Sequence, residues 1–201
     1  MIYQEYLNRA ISYQQYLLDM KQFKDSESSS SLSEDPVFNN YTKMGYTRMK
    51  RIDKTAVLPD ALGKLISQLT KPITLLAITE SWCGDSGQNL PYFNLLAESS
   101  PLISYKLVYR EKEPELMDQH LVNGSRSIPV VIFLDENLKP FAQWGPRPAF
   151  IQEQVKTFRS KEFTPEEYQE FSKTIQRQYN QDGGLTLYNE ISEILTDHIR
   201  P

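Results

Sequence analysis

Ile73-Thr74-Leu75-Leu76-Ala77-Ile78-Thr79-Glu80-Ser81-Trp82-Cys83-Gly84-Asp85-Ser86 joins an apolar run to the one cysteine of the chain. Residues 73–78, bounded by Pro72 and a polar cluster, fit a strand buried on both faces. Residues 87–98 read as a helix, so Cys83 falls between a strand and a helix N-terminus. The helix dipole and free backbone N–H groups there favour negative charge. This predicts a lowered thiol pKa, and the thiolate is the reactive species. Trp82 can shield the sulfur with a flat apolar surface, and Ser86 can donate a hydrogen bond to the thiolate. Asp85 opposes both, because a carboxylate beside a thiolate destabilises it. The residues leave the balance open. Read without its neighbours, a lone cysteine is a small buried hydrophobe.

Outward from this stretch, strand and helix signals alternate. Residues 59–70 read as a helix with Leu62, Leu65, Ile66 and Leu69 on one face. Residues 102–110 are strand-like, 115–121 form a short helix, and 130–134 (Val-Val-Ile-Phe-Leu) form a second β-branched, apolar strand. A turn at 135–137 leads to a strand at 141–144. A helix follows at 148–158, with Pro148 at a favourable early position. Such alternation implies α/β layers around a central sheet.

The flanks differ in character. Residues 1–53 read as an N-terminal helical extension: an amphipathic helix over 1–23, a flexible serine-rich loop at 24–36, and a helix over 39–51. Residues 54–160 form the central domain, and 161–201 a C-terminal extension of two helices. Thr164, Pro165 and Glu167 make a capping box at the start of the first, which should stop near Asp182-Gly183-Gly184. Neither extension carries a chemical signature, and both are expected to pack on the central domain.

The run Trp82-Cys83-Gly84-Asp85-Ser86 resembles the Trp-Cys-Gly-Pro-Cys active-site motif of thioredoxins. Pro91 stands eight residues after the cysteine, where that family kinks its helix. Arg126-Ser127-Ile128-Pro129 resembles the segment that ends in the family's cis-proline, and Trp144-Gly145 stands where thioredoxins carry a glycine after the last strand. The resemblance covers residues 55–160. It implies a thioredoxin fold, a mixed sheet flanked by helices, here with helical extensions like those of some bacterial thioredoxin-like proteins. It also implies a cis Ile128–Pro129 bond, with the backbone of Ile128 placed to pair with an extended substrate chain.

The departures from the family pattern shape the functional expectation. Ser86 replaces the second cysteine, so the chain cannot complete the two-thiol cycle alone. Ala77 stands where the family has a buried acid, and Asp85 replaces its proline. The resemblance then implies a monothiol thiol–disulfide oxidoreductase acting on protein disulfides or mixed disulfides. Cys83 would be the nucleophile with Ser86 beside it, Trp82, Ile128 and Pro129 would hold substrate, and Gly84 and Asp85 would tune the thiol. The alternative is a redox-inactive module that binds peptides in the same groove. Expected partners are extended protein or peptide chains and low-molecular-weight thiols, with no cofactor and no metal. Cys-Gly-Asp-Ser also resembles the Cys-Gly-Phe-Ser of monothiol glutaredoxins, but the chain lacks their Gly-Gly pair after the cis-proline strand. Peroxiredoxins need Thr or Ser three residues before the cysteine, where this chain has Glu80.

Composition excludes other classes. A net charge of -4 and a pI near 5.3 argue against nucleic acid and anionic membranes as partners. Glu5, Arg9, Asp19 and Lys21 interrupt any signal-like apolar run, and nowhere do about 18 apolar residues run together. A single cysteine makes a reducing cytoplasm the default. His120 and His198 lie far apart without a cysteine nearby, so no metal cluster is expected, and His120 is expected at the surface. Gly145-Pro146-Arg147-Pro148 reads as a rigid turn, with Arg147 placed to face an anionic group at the helix start.

Overall fold

The computed structural model describes residues 2–33 and 35–199. Among these, β1 (Ile73–Thr79), β2 (Ile103–Tyr109), β3 (Val130–Leu134) and β4 (Pro140–Trp144) form one sheet in the order β2-β1-β3-β4. β1 runs parallel to β2 and antiparallel to β3, and β3 runs antiparallel to β4. The apolar runs occupy the two central positions because a central strand is covered on both faces. Alternate residues then feed two cores. Leu75, Ala77, Val131 and Phe133 pack on one side, and Leu76, Ile78, Val130 and Ile132 on the other.

The expected helix over 1–23 is two helices, α1 (Ile2–Arg9) and α2 (Tyr13–Asp25). Between them Ile11 exchanges two backbone hydrogen bonds of 2.9 Å with Leu107 of β2. This short pairing satisfies the free edge of β2, and Ser12 caps α2 by accepting from the Gln15 N–H at 3.1 Å. Tyr16 and Met20 of α2 are fully buried in the first core, whereas Tyr3 and Tyr6 of α1 join the second.

The third helix, α3 (Val37–Thr55), is longer than expected, and α4 (Asp60–Ile66) is shorter. α5 (Gly84–Glu98) begins immediately after Cys83 and contains Pro91. A Cβ on Gly87 of α5 would stand 3.0 Å from the Cα of Gly45 in α3. The two glycines therefore let these helices touch backbone to backbone, which brings the N-terminal extension up to the cysteine. α6 (Pro114–Gln119) and α7 (Ala149–Arg159) complete the central part.

In the C-terminal stretch, α8 (Pro165–Asp182) starts with the expected capping box at Thr164 and Glu167 and ends at Gly183 in the left-handed conformation. α9 (Leu185–Ile199) buries Leu187, Ile191 and Leu195 in the first core. Among the described residues, no helix is long and apolar enough to cross a membrane.

Two expectations are corrected. The serine-rich segment, whose Glu34 lies outside the described residues, is docked rather than flexible where it carries Ser30. The N–H of Ser30 donates to Ser81 Oγ at 2.8 Å, and the Ser81 N–H donates back to Ser30 Oγ at 2.8 Å. His120 is buried rather than at the surface. Its ring bonds Tyr3 Oη at 2.9 Å and Gln143 Oε1 at 2.8 Å, and burial pushes its pKa below the usual histidine value.

Candidate active site at Cys83

Cys83 is the N-cap residue of α5, set there because β1 ends at Thr79 and the chain turns through residues 80–82. The residue is 7% exposed, and its thiol donates a hydrogen bond of 3.3 Å to the carbonyl of Ile128. The Ile128–Pro129 peptide is cis, as the resemblance implies, and Gly145–Pro146 is cis as well. Gly145 has φ of 124°, and a Cβ there would overlap the carbonyl of Pro129. The glycine after the last strand thus lets β4 close against the segment that faces the cysteine.

The thiol pKa is raised, not lowered. Burial first, and the Asp85 carboxylate second, push it up to about 11. The Ser86 hydroxyl and the backbone N–H groups of Ser86 and Asp85 pull the other way and lose. The helix-terminus effect expected from sequence is present, but desolvation outweighs it.

The neighbours of Cys83 are held from several elements. Asp85 Oδ2 meets Arg147 Nη2 at 2.6 Å, and Asp85 Oδ1 accepts from Tyr179 Oη of α8 at 2.9 Å. Ser86 is buried and accepts from Thr79 Oγ1 at 2.7 Å. Tyr16 Oη of α2 stands 3.4 Å from the same Thr79 oxygen and donates to the Glu80 carbonyl at 3.1 Å. Trp82 packs against Phe38 of α3 with ring centroids 5.1 Å apart, and the Arg110 guanidinium sits 5.0 Å from the Trp82 ring. A Cβ on Gly84 would stand 3.3 Å from Arg48 Nη1, so this guanidinium of α3 lies against the residue following the cysteine.

Glu80, three residues before Cys83, is fully buried. It accepts from the Glu111 N–H at 2.8 Å and from Ser30 Oγ. Burial pushes its carboxyl up to about 7.

Above the cysteine lies a cavity of about 460 Å³. Of the residues expected to form the site, Trp82, Cys83, Gly84, Asp85 and Ile128 line it, whereas Ser86 and Pro129 are buried outside its wall. The remaining wall comes from α3, α7, α8, the segment around Arg126, and Arg110 and Arg147. Sequence reasoning missed Arg48 and Tyr179, which sit in extensions without a motif, and Arg110 at the end of β2. Arg147 was visible as a residue facing an anionic group; its partner is Asp85.

A family model described as thioredoxin matches residues 31–162. A crystal structure of a protein of unknown function from Pseudomonas aeruginosa is similar, with a TM-score of 0.56 at 16% identity over 94% of this chain and 99% of that one. An HIV epitope scaffold is similar at a TM-score of 0.57 and 18% identity, over 93% of this chain and 99% of the scaffold. At such identities the likeness speaks for fold alone. No curated protein is detectably similar to the chain.

Proposed function

The chain belongs to the thioredoxin family, and from that premise we propose that it carries out monothiol thiol–disulfide exchange through Cys83. The observation that carries this reading is the position of the thiol. It stands at the start of α5, 3.3 Å from the Ile128 carbonyl, on the wall of a cavity large enough for substrate. In the reaction, the Cys83 thiol loses its proton and its sulfur attacks one sulfur of a disulfide R–S–S–R′. A Cys83–S–S–R bond forms as the substrate S–S bond breaks, and R′–S⁻ leaves and takes up the proton. A small external thiol then cleaves the adduct, because Ser86 offers no second sulfur. The proposal places the protein in a reducing compartment, such as a bacterial cytoplasm, where that thiol is present.

A second reading, a redox-inactive binding module, is favoured by one observation: Cys83 is buried and its thiol pKa is pushed up to about 11. The two are separated by incubating the folded protein with bis(2-hydroxyethyl) disulfide and reading intact mass. Exchange predicts one adduct, absent in Cys83→Ser and removed by added thiol. An unmodified folded protein, with full modification once unfolded, selects the binding module.

A further inference from the structure

The cavity over Cys83 has a charge that the chain as a whole does not have. The protein carries 22 Lys and Arg against 26 Asp and Glu, yet the cavity wall holds Arg48, Arg110, Arg126, Arg147 and Arg159 against one carboxylate, Asp85. Arg147 neutralises Asp85 at 2.6 Å, and Arg126 is held by Asp118 just outside at 2.6 Å. Arg48 and Arg159 have no carboxylate within salt-bridge distance among the described residues. Arg159 is exposed at the end of α7, but Arg48 is partly buried, and burial pushes its pKa below the usual arginine value. Asp85 is the carboxylate that acts on Arg48, but it is not in contact with it and is already bound to Arg147. A half-buried guanidinium is thus left without a contacting counterion, which favours an anion in the space beside it.

The rest of the wall suits the body of such a molecule. Phe38, Trp82 and Phe171 supply flat apolar surface. About 460 Å³ is the size of a small-molecule site. α3 and α8 both contribute to the wall, so the groove is flanked on more than one side by the two extensions.

We propose that this cavity binds a compact organic anion carrying carboxylate or phosphate groups, with Arg48 as its principal counterion and Trp82 against its body. Resting on the exchange reading above, the disulfide that reacts at Cys83 is then an anionic low-molecular-weight disulfide rather than a long extended chain. The exchange is the balanced step already written, with R the anionic half.

Two measurements test this independently. Binding is measured by calorimetry on the Cys83→Ser protein, with oxidised glutathione and citrate as anionic probes, bis(2-hydroxyethyl) disulfide as a neutral probe, and an acidic heptapeptide. Exchange rates are measured on the wild type with the two disulfides. The inference predicts binding of the anionic probes that weakens at high salt and falls at least tenfold in Arg48→Gln. It also predicts exchange at least tenfold faster with oxidised glutathione than with the neutral disulfide, a preference lost in the same variant. Arg159→Gln, on the exposed end of α7, is the second variant and shifts binding in the same direction. Equal binding of neutral and anionic probes, no binding of the small anions, or binding of the acidic peptide alone overturns the inference. If neither disulfide reacts while the anions still bind through Arg48, exchange fails and the anion site stands. If both react at equal rates without Arg48 dependence, exchange stands and the anion site fails.

Discussion

Arg147 Nη2 lies 2.6 Å from Oδ2 of Asp85, two residues along from Cys83, and the two side chains are only 16% and 13% exposed. The pair fixes a negative group beside the thiol and keeps it partly neutralised. Asp85 is the second cause, after burial, of the raised thiol pKa. Asp85→Asn removes the carboxylate and leaves Arg147 facing the sulfur, so the pH midpoint of Cys83 alkylation should fall by about one unit or more. Arg147→Gln exposes the thiol to the full carboxylate, and the midpoint should rise. Rates of iodoacetamide labelling followed by intact mass check both. A midpoint that stays put or rises in Asp85→Asn contradicts the electrostatic account.

The buried Glu80 makes stability depend on pH. Its carboxyl is raised to about 7 in the folded protein from an ordinary value of 4.5. Below pH 4.5 the group is protonated in both states and exacts no penalty. As pH rises toward 7 the unfolded chain ionises first, so stability falls, by up to about 3 kcal/mol once both states are ionised. Glu80→Gln keeps an oxygen for the Glu111 N–H and an amide for Ser30, and it should flatten this dependence. Urea unfolding at pH 5 and pH 8 should show wild type losing stability across the interval while the variant does not. Equal loss in both proteins places the titration elsewhere.

Gly145 holds a φ of 124°, and the Pro129 carbonyl occupies the place a Cβ would take. Gly145→Ala adds a methyl group where backbone already lies, in a region of φ that L side chains avoid. A destabilisation of about 3 kcal/mol or more is expected, read by urea unfolding. A change within about 0.5 kcal/mol shows that the contact yields without cost.

Much of this architecture is written in local patterns. The apolar runs at 73–78 and 130–134 are the two central strands, and the Thr164 capping box lies where its residues place it. Elements made by distant contacts were not legible. The helical pattern continues through Ile11, and the helix breaks there where Ile11 pairs with Leu107, far along the chain, and Ser12 caps the next helix. A serine-rich composition reads as solvated chain, yet Ser30 supplies the hydrogen bonds that Glu80 and Ser81 need once buried.

The site divides in the same way. The strand–cysteine–helix order places Cys83 at the start of α5, and the resemblance of the segment ending in Pro129 places Ile128 beside it. The charge state of the thiol depends on what covers it, and the cover is tertiary. Phe38 and Arg48 come from α3, and Tyr179 comes from α8, the latter bound to Asp85. A helix N-terminus lowers a thiol pKa when water also reaches the sulfur; when the sulfur is desolvated, the sign reverses.

The central claim is that Cys83 of the folded protein exchanges with disulfides. The most direct test is the rate of mixed-disulfide formation on native protein between pH 6 and pH 9.5, followed by intact mass with oxidised glutathione. The account predicts a single adduct at Cys83 whose rate climbs about tenfold per pH unit without reaching a plateau, because the thiol titrates near 11 rather than near 8.5. No adduct on the native protein at any pH in that range, with rapid modification after unfolding, would contradict it.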